Sequence, residues 1–345
     1  MPGGLFVCAA CTYDKLGRVR QRSVKAGNGP AMTTTYAFEE GGHGANSTTG
    51  LVKSISQTRG NFAYTYDDNG NIVSVVQDGV TTSYTYDALG QLIRVDDEQE
   101  DATWVYAYDQ GGNILSKRKY ALGVTEGEPQ ESKVFTYGNA NWRDQLTAVD
   151  GVAITYDQIG NPLNDGTWTY TWQNGRQLAR MQSVDIDASF VYNENGLRVQ
   201  KTVNGVVTNY TLHGKNVVHM TQGENELHFF YDASNKPAIV VYNGVPYSYV
   251  KNLQGDIVAI LDSNKNVVVS YVYDAWGRPI SKTGTLASTL GTLQPFRYRG
   301  YVYDEETEMY YLRSRYYVVR YSRFMEPDIL VGKNVSLLIT FILIV

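Results

Sequence analysis

The stretch from Tyr64 to Leu92 has the sequence YTYDDNGNIVSVVQDGVTTSYTYDALGQL, in which one phrase occurs twice. The phrase is an aromatic residue, any residue, Tyr-Asp, two further residues, Gly, a polar residue and an aliphatic one. Tyr64 and Tyr66 are two residues apart, so they share one face of a strand. Asp-x-x-Gly suits a type I turn with a left-handed glycine after it. Each copy therefore predicts a tight turn between two antiparallel strands.

The phrase recurs from Thr12 to the YVYDAWGRP stretch at Tyr271, at a spacing close to 20 residues. Asp-Gly and Asn-Gly pairs, such as Asp78-Gly79 and Asn243-Gly244, mark a second turn in many units. A unit of this length accommodates two short strands, so we predict an all-β chain of stacked antiparallel hairpins. The positions assigned to the repeat are Tyr66, Asp67, Gly70, Tyr86, Asp87, Gly90, Tyr108, Asp109, Tyr156, Asp157, Gly160, Tyr273, Asp274 and Gly277.

The composition of the 345 residues supports this fold and excludes several functions. There are 28 Tyr, 10 Phe and 33 Gly, which favours β-strands and turns over helices. The net charge of -5 argues against a nucleic-acid partner. The N-terminal residues lack the features of a signal peptide, and no apolar run is long enough to predict a transmembrane helix.

Three stretches interrupt the repeat and are predicted to be loops: residues 37–50, 121–133 and 281–294. The acidic run from Asp96 to Asp101 is predicted to be a solvated hairpin tip. We expect no long helix anywhere in the chain.

These repeats resemble the YD repeats of the rearrangement-hotspot (Rhs) family and of the teneurin shell. A second block is more specific: Pro295 to Asp328, PFRYRGYVYDEETEMYYLRSRYYVVRYSRFMEPD, is similar to the Rhs core-associated segment. The resemblance divides the chain into a ragged N-terminus (1–11), YD repeats (12–294), the core-associated segment (295–334) and an atypical apolar tail (335–345).

The resemblance implies a spiralling β-sheet that forms part of a hollow shell around a C-terminal toxin. The expected partners are the rest of the shell and that toxin, and the full-length parent is expected to be secreted or attached to the cell surface. No cofactor is implied. The alternative is an adhesin in which exposed tyrosines bind cell-surface glycans, since sugar faces pack on aromatic rings.

Many family members release the toxin by an aspartyl-type self-cleavage, and Arg315 and Asp328 match part of that site. Such chemistry needs two carboxylates sharing a proton. The second aspartate would lie beyond Val345, so we expect no self-cleavage and no other enzyme activity. The apolar run from Leu337 to Val345 is expected to come from truncation or a frameshift.

The remaining polar clusters have plain structural interpretations. Six arginines lie between Arg297 and Arg323, and we expect them to pair with acids of the same segment and to stack on tyrosine inside the fold. Cys8 and Cys11 form a C-x-x-C without the context of a redox motif. The four histidines lack the spacing of zinc ligands, so no metal site is predicted.

Overall fold

The computed structural model describes residues 7–26, 31–42 and 47–326, and these are almost wholly antiparallel β-structure, as predicted. The helical parts are α1 (Leu290–Leu293) and two single 3₁₀ turns, Tyr298–Gly300 and Val319–Tyr321. Within the described ranges, no helix has the length and hydropathy needed to cross a membrane.

The strands follow one another along the chain, joined mostly by tight turns. The first series is β1 (Val7–Tyr13), β2 (Val19–Ala26), β3 (Met32–Glu40), β4 (Thr48–Gln57), β5 (Phe62–Tyr66), β6 (Ile72–Gln77), β7 (Val80–Tyr86), β8 (Leu92–Asp97), β9 (Ala102–Tyr108), β10 (Ile114–Ala121), β11 (Glu131–Thr136), β12 (Ala148–Val149) and β13 (Val152–Ala153). The second is β14 (Thr155–Tyr156), β15 (Pro162–Asn164), β16 (Thr169–Gln173), β17 (Gln177–Gln182), β18 (Asp187–Tyr192), β19 (Arg198–Val203), β20 (Val206–His213), β21 (Asn216–Gln222), β22 (Asn225–Tyr231), β23 (Pro237–Tyr242), β24 (Val245–Lys251), β25 (Ile257–Leu261), β26 (Val267–Tyr273) and β27 (Pro279–Thr283). The last four are β28 (Val302–Asp304), β29 (Met309–Tyr311), β30 (Tyr316–Val318) and β31 (Arg323–Phe324).

The described residues form two compact units. Unit 1 is drawn from Met1–Gly79 and Thr208–Tyr311, and unit 2 from Val80–Val207 and Leu312–Val345. The sequence-based boundaries at residues 12, 295 and 335 separate types of sequence, and they stay a prediction.

In unit 1, strands β1 to β6 pair in chain order, and strands β20 to β27 do the same farther along the chain. Direct bonds join these two parts of the unit. Arg22 lies 2.7 Å from the Asp232 carboxylate, and the Tyr64 hydroxyl accepts a 3.0 Å hydrogen bond from the Leu253 N–H. Lys251 also contacts Asp232, at 2.9 Å. Burial alone would raise the pKa of Asp232, but these two cations hold it below its usual value.

The core of unit 1 lies around its central strands. Leu227, Val240, Ile257, Ile260 and Val269 belong to one cluster of fully buried side chains. Strand β25 is buried along its whole length, because both of its faces are covered, whereas β22 alternates between buried and partly exposed positions. Unit 2 is built in the same way from β7 to β13 and β14 to β19.

The Asp-x-x-Gly turns are closed by the aspartate side chain. Asp67 Oδ1 accepts hydrogen bonds from the backbone N–H groups of Asn69 (2.9 Å) and Asn71 (2.8 Å). Asn71 Nδ2 donates to Asp67 Oδ2, and this contact with the two backbone bonds lowers the pKa of Asp67. Gly70 follows with φ of 84°, the left-handed conformation that the bulged turn requires.

The predicted loops are shorter than expected, since strands β3, β4, β10, β11 and β27 extend into them. The prediction of a solvated tip is wrong at Asp97, whose exposure is 4%. Its carboxylate caps the turn by accepting the N–H groups of Gln99 and Glu100. Glu100 in turn accepts a 2.9 Å bond from the Trp104 indole N–H. The acidic residues of this tip therefore hold the turn together.

Candidate functional site

The tyrosine of the repeat phrase bonds its hydroxyl to a backbone carbonyl of an earlier unit. Tyr66 donates to the Val52 carbonyl (2.7 Å), Tyr108 to Leu92 (2.6 Å) and Tyr273 to Ile257 (3.0 Å). The same bond is made by Tyr137, Tyr156, Tyr192 and Tyr231.

The reason for this bond is visible at the end of strand β8. Its ladder with β9 ends at the pair of Arg94 and Val105, two residues after Leu92. The Leu92 carbonyl therefore has no partner in that ladder, and the Tyr108 hydroxyl satisfies it. A buried carbonyl left without a donor is costly, so the hydroxyl has a structural purpose. At least seven of the 28 Tyr make this bond, which Phe could not make, so the bond contributes to the excess of Tyr over the 10 Phe.

In two divergent copies of the phrase, another residue replaces the tyrosine and still donates a hydrogen bond to the carbonyl. Trp172 donates its indole N–H to the Pro162 carbonyl at 2.6 Å, and Lys251 donates its ammonium group to the Pro237 carbonyl at 2.9 Å. The position therefore requires a long side chain that ends in an N–H or O–H group.

The two aromatics of a phrase lie on one face, with the first more deeply buried. Tyr64 is 2% exposed and Tyr271 is 4% exposed, and Tyr271 stacks on the half-buried Tyr273 with ring centroids 6.3 Å apart. Tyr84 and Tyr86 are both half-buried. Burial raises the pKa of Tyr66 to about 12, so this hydroxyl stays a donor at neutral pH.

The other predicted repeat positions lie at turns with the same geometry. Each aspartate accepts N–H groups two and four residues farther on, and each glycine has a positive φ. The aspartates are Asp87, Asp109, Asp157 and Asp274, and the glycines are Gly90, Gly160 and Gly277.

In unit 1 the core-associated segment buries a full charge. Arg297 is 3% exposed, and its guanidinium lies over the Tyr271 ring, 4.3 Å from the centroid. It donates to the carbonyls of Gly291 and Gln294, and it lies 3.4 Å from the Glu305 carboxylate. Burial disfavours this charge, but the electron-rich tyrosines and Glu305 raise the pKa of Arg297 above its usual value.

Aromatic residues of the same segment pack directly onto a repeat turn. The Tyr298 hydroxyl donates to the Ala275 carbonyl and the Tyr310 hydroxyl to the Gly277 carbonyl, both at 2.9 Å. Gly277 has φ of 82°, and a Cβ atom there would lie 2.6 Å from Tyr298 Cδ1. This glycine thus serves both the turn and the docking of the segment. Phe296 adds an edge-on contact to Phe229, with centroids 5.0 Å apart.

In unit 2 the segment is held by Asp165, the aspartate of an Asp-Gly turn. Asp165 Oδ2 accepts hydrogen bonds from the hydroxyls of Tyr170 (2.5 Å) and Tyr321 (3.0 Å) and pairs with the Arg320 guanidinium. The Asp165 side chain is 1% exposed. Burial, with the adjacent carboxylate, raises the pKa of Tyr170 well above its ordinary value.

Further contacts link the segment to neighbouring repeats of unit 2. Arg323 donates to the Tyr137 hydroxyl (3.1 Å) and to the Asp144 carbonyl (2.9 Å). The hydroxyls of Tyr192 and Tyr316 are 2.7 Å apart. The segment is therefore fixed by side chains from several repeats.

Of the two residues assigned to a self-cleavage site, only Arg315 lies among the residues that the structure describes. Arg315 stacks its guanidinium on the Phe324 ring, 3.7 Å from the centroid. Asp328, and the tail from 335 to 345, lie outside the described residues. Glu326, which no sequence motif predicts, is 3% exposed and accepts a 3.0 Å bond from the Tyr316 N–H. Burial raises the pKa of Glu326 to about 8, although Arg315 partly opposes the shift.

The arginines of this segment mostly serve the fold, with one correction to the expectation. Arg297, Arg299 and Arg320 lie over tyrosine rings, as expected. The acid that pairs with Arg320 comes from the repeats, because Asp165 precedes it by 155 residues. A partner so distant in sequence is brought close only by the fold.

Among the metal-ligating side chains of the described residues, His219, Glu226 and His228 come together on one hairpin. Cys11 has a free, half-buried thiol. The side chain of Cys8 lies outside the described part of the chain.

Two curated relatives of this chain are far longer than it is. It is 39% identical over 242 residues to the tRNA3(Ser)-specific nuclease WapA of Bacillus spizizenii, a match that covers 68% of this chain and 10% of that protein. The tRNA nuclease WapA of Bacillus subtilis strain 168 is 38% identical over the same length, with the same coverage.

Solved structures with a similar fold include a TcdB2-TccC3-Cdc42 complex, with a TM-score of 0.68 and 17% identity. That match covers 93% of this chain and 19% of the other. The Photorhabdus luminescens Tc holotoxin pore matches with a TM-score of 0.67, 16% identity and the same coverage. At these identities the likeness shows the fold.

The profile of one protein family extends over most of the chain, from the end of β6 through the core-associated segment. It is the family described as Teneurin YD-shell, and it matches residues 76–337. This range contains most of the turns that are closed by an aspartate side chain. It also contains most of the tyrosine hydroxyls that bind backbone carbonyls. The chain therefore belongs to the teneurin YD-shell family.

Proposed function

We propose that this chain is a wall segment of an Rhs-type shell that encloses a toxin domain of the same polypeptide. The observation that carries the proposal is the docking of the core-associated segment onto the repeats. Arg297 is buried in unit 1, and in unit 2 the half-buried Arg320 pairs with the buried Asp165; each has several polar partners. A segment fixed in this way suits the boundary between a rigid wall and an enclosed domain.

The relatives support this role through their names. The two WapA relatives are nucleases in which the matched part is a tenth of the length, and one of the similar solved structures is a Tc holotoxin pore. The proposed partners are accordingly the rest of the shell and a toxin domain. We further propose that the full-length parent acts outside the cell that makes it, either secreted or bound to the cell surface.

We prefer enclosure to glycan recognition because of what the tyrosines do. A sugar platform needs aromatic rings that face solvent. Here the repeat tyrosines are half-buried and bind backbone carbonyls, and the first aromatic of the phrase is mostly buried. Both features fit a structural wall.

We also propose that this chain has no enzyme activity of its own. The nuclease names belong to proteins about ten times the length of the matched region, and a net charge of -5 disfavours binding to RNA. Incubation with total tRNA and Mg²⁺ should leave the tRNA intact on a denaturing gel. Cleavage that persists through repeated purification would contradict this assignment.

Protease protection tests the enclosing role. An unstructured peptide with a protease site is joined after Val345, and its cleavage is compared with that of the free peptide. We expect slower cleavage of the joined peptide. The Arg320→Ala variant should remove the protection because it undocks the segment, while Arg180→Ala, at an exposed ion pair, should retain it. Equal rates for the joined and free peptides would overturn the proposal.

A further inference from the structure

We propose that His219, Glu226 and His228 form a binding site for a divalent transition metal of the Zn²⁺ type. The three side chains project from one face of the hairpin made by β21 and β22. His219 is directly opposite His228 in the register of this hairpin, and Glu226 lies two residues before His228. Their ligand atoms all lie within 4.8 Å of one another.

The distances suit tetrahedral coordination. The Nε2 atoms of His219 and His228 each lie 3.0 Å from the same oxygen, Glu226 Oε1. Zinc bonds to histidine nitrogen and carboxylate oxygen are about 2.0–2.2 Å long, which places neighbouring ligands of a tetrahedron about 3.3 Å apart. A small outward movement of these side chains would thus create room for the ion.

The backbone beneath the site is held on every side. Met220 and Leu227, the neighbours that point to the opposite face, are 2% and 0% exposed and anchor the hairpin in the core of unit 1. Strands β20 and β23 pair with its outer edges. The imidazole rings are already stacked, with centroids 4.5 Å apart and an interplanar angle of 18°. The fixed backbone and the stacked rings reduce the conformational entropy that is lost when a metal binds.

The donor set also selects the class of metal. Two imidazole nitrogens with one carboxylate suit zinc and its neighbours, whereas Ca²⁺ and Mg²⁺ prefer oxygen ligands alone. The side chains remain accessible, with exposures of 28% for His219, 41% for His228 and 54% for Glu226. The fourth coordination position is open to water or to a ligand from another molecule.

The spacing of the histidines does not reveal this site, because His219 and His228 are nine residues apart and zinc ligands on a helix or a knuckle lie closer together. Only the register of the hairpin brings them together. The site is independent of the enclosing role proposed above.

The test is Zn²⁺ titration followed by calorimetry, on untagged full-length chain carrying Cys8→Ser and Cys11→Ser to remove thiol ligands. We expect one site per chain, and at least ten-fold weaker binding in His219→Ala or His228→Ala. Glu226→Gln should weaken binding by a smaller factor. His213→Ala is the matched control, since His213 is exposed and lies outside the cluster.

Two further measurements keep the proposal falsifiable if a variant is destabilised. Co²⁺ added to the parent should give the visible absorption of a four-coordinate ion, and acid should abolish it because the ligands must lose their protons. Far-ultraviolet circular dichroism should show the same strand content in all variants. Zinc affinity unchanged in both histidine variants, or weakened equally by His213→Ala, would overturn the assignment.

Discussion

The repeats and the core-associated segment bury polar groups in different ways. In the repeats, a neutral hydroxyl satisfies one backbone carbonyl, and the same bond recurs from unit to unit. The segment instead relies on charged groups, each with its own partners: Arg297 stacks on Tyr271, and Arg320 pairs with Asp165. The repeats contain one comparable network, in which Arg22 and Lys251 contact Asp232. Loss of one repeat hydroxyl should therefore cost a similar free energy of unfolding in each unit, whereas each charged group of the segment has partners that no other position repeats.

One of the two largest expected effects is at Arg297. Arg297→Ala removes the donor to the Gln294 carbonyl, one of two donors to the Gly291 carbonyl, and the packing on Tyr271. Breaking a buried charge network of this kind costs about 3–5 kcal/mol of unfolding free energy. Urea denaturation measures it, with Arg180→Ala as the control. Arg180 belongs to a half-exposed pair, for which about 0–1 kcal/mol is expected. Similar losses in the two variants would refute the distinction between buried and exposed arginines.

At Tyr273, two substitutions separate the ring from its hydroxyl. Tyr273→Ala removes a ring stacked on Tyr271 and should cost about 3–5 kcal/mol. Tyr273→Phe retains the ring but leaves the Ile257 carbonyl without its donor, at a cost of about 1–3 kcal/mol. Thermal and urea unfolding of both variants provide the values. A silent Tyr273→Phe would mean that the hydroxyl bond contributes nothing.

The repeat glycines provide a direct comparison between the two regions. Gly277→Ala and Gly90→Ala both place a side chain at positive φ, which costs about 1–2 kcal/mol. At Gly90 nothing lies within 4 Å of the added Cβ, whereas at Gly277 Tyr298 is in the way. Overpacking adds about 1–3 kcal/mol, so Gly277→Ala should be the more damaging change. Equal losses would show that Tyr298 moves aside freely.

Glu326 should make the free energy of unfolding depend on pH. With a pKa of about 8 in the folded state and 4.5 as its ordinary value, Glu326 retains its proton when folded and loses it on unfolding between these pH values. The free energy of unfolding should therefore fall as pH rises from about 4.5 to 8, by roughly a few kcal/mol. Glu326→Gln cannot ionise and should lose this slope, becoming the more stable form at pH 8. Parallel pH profiles for the two proteins would contradict a buried neutral carboxyl.

Features that depend on residues close together in the sequence could be predicted from it. Contacts between residues far apart in the sequence could not. The Asp67 turn and its glycine follow from four consecutive residues, and the shared face of Tyr64 and Tyr66 follows from strand geometry. The bond from Tyr108 to Leu92 needs the register of β8 and β9. The pairing of Asp165 with Arg320 joins residues 155 positions apart and has no motif. Resemblance to the family supplied the architecture but not these contacts.

The smallest expected effect is on the mass of the chain, which we expect not to cleave itself. An aspartyl reaction needs two carboxyls that share a proton, so that one is ionised while the other is neutral. Glu326 is buried, but the charged groups that act on it are Arg315 and Arg176, both cations. We therefore expect the purified chain to retain its full mass after long incubation near pH 5, by intact-protein mass spectrometry. A specific cut close to Asp328 would overturn this expectation. Its loss in Glu326→Gln, but not in Glu226→Gln at the exposed hairpin, would then identify Glu326 as one of the two acids.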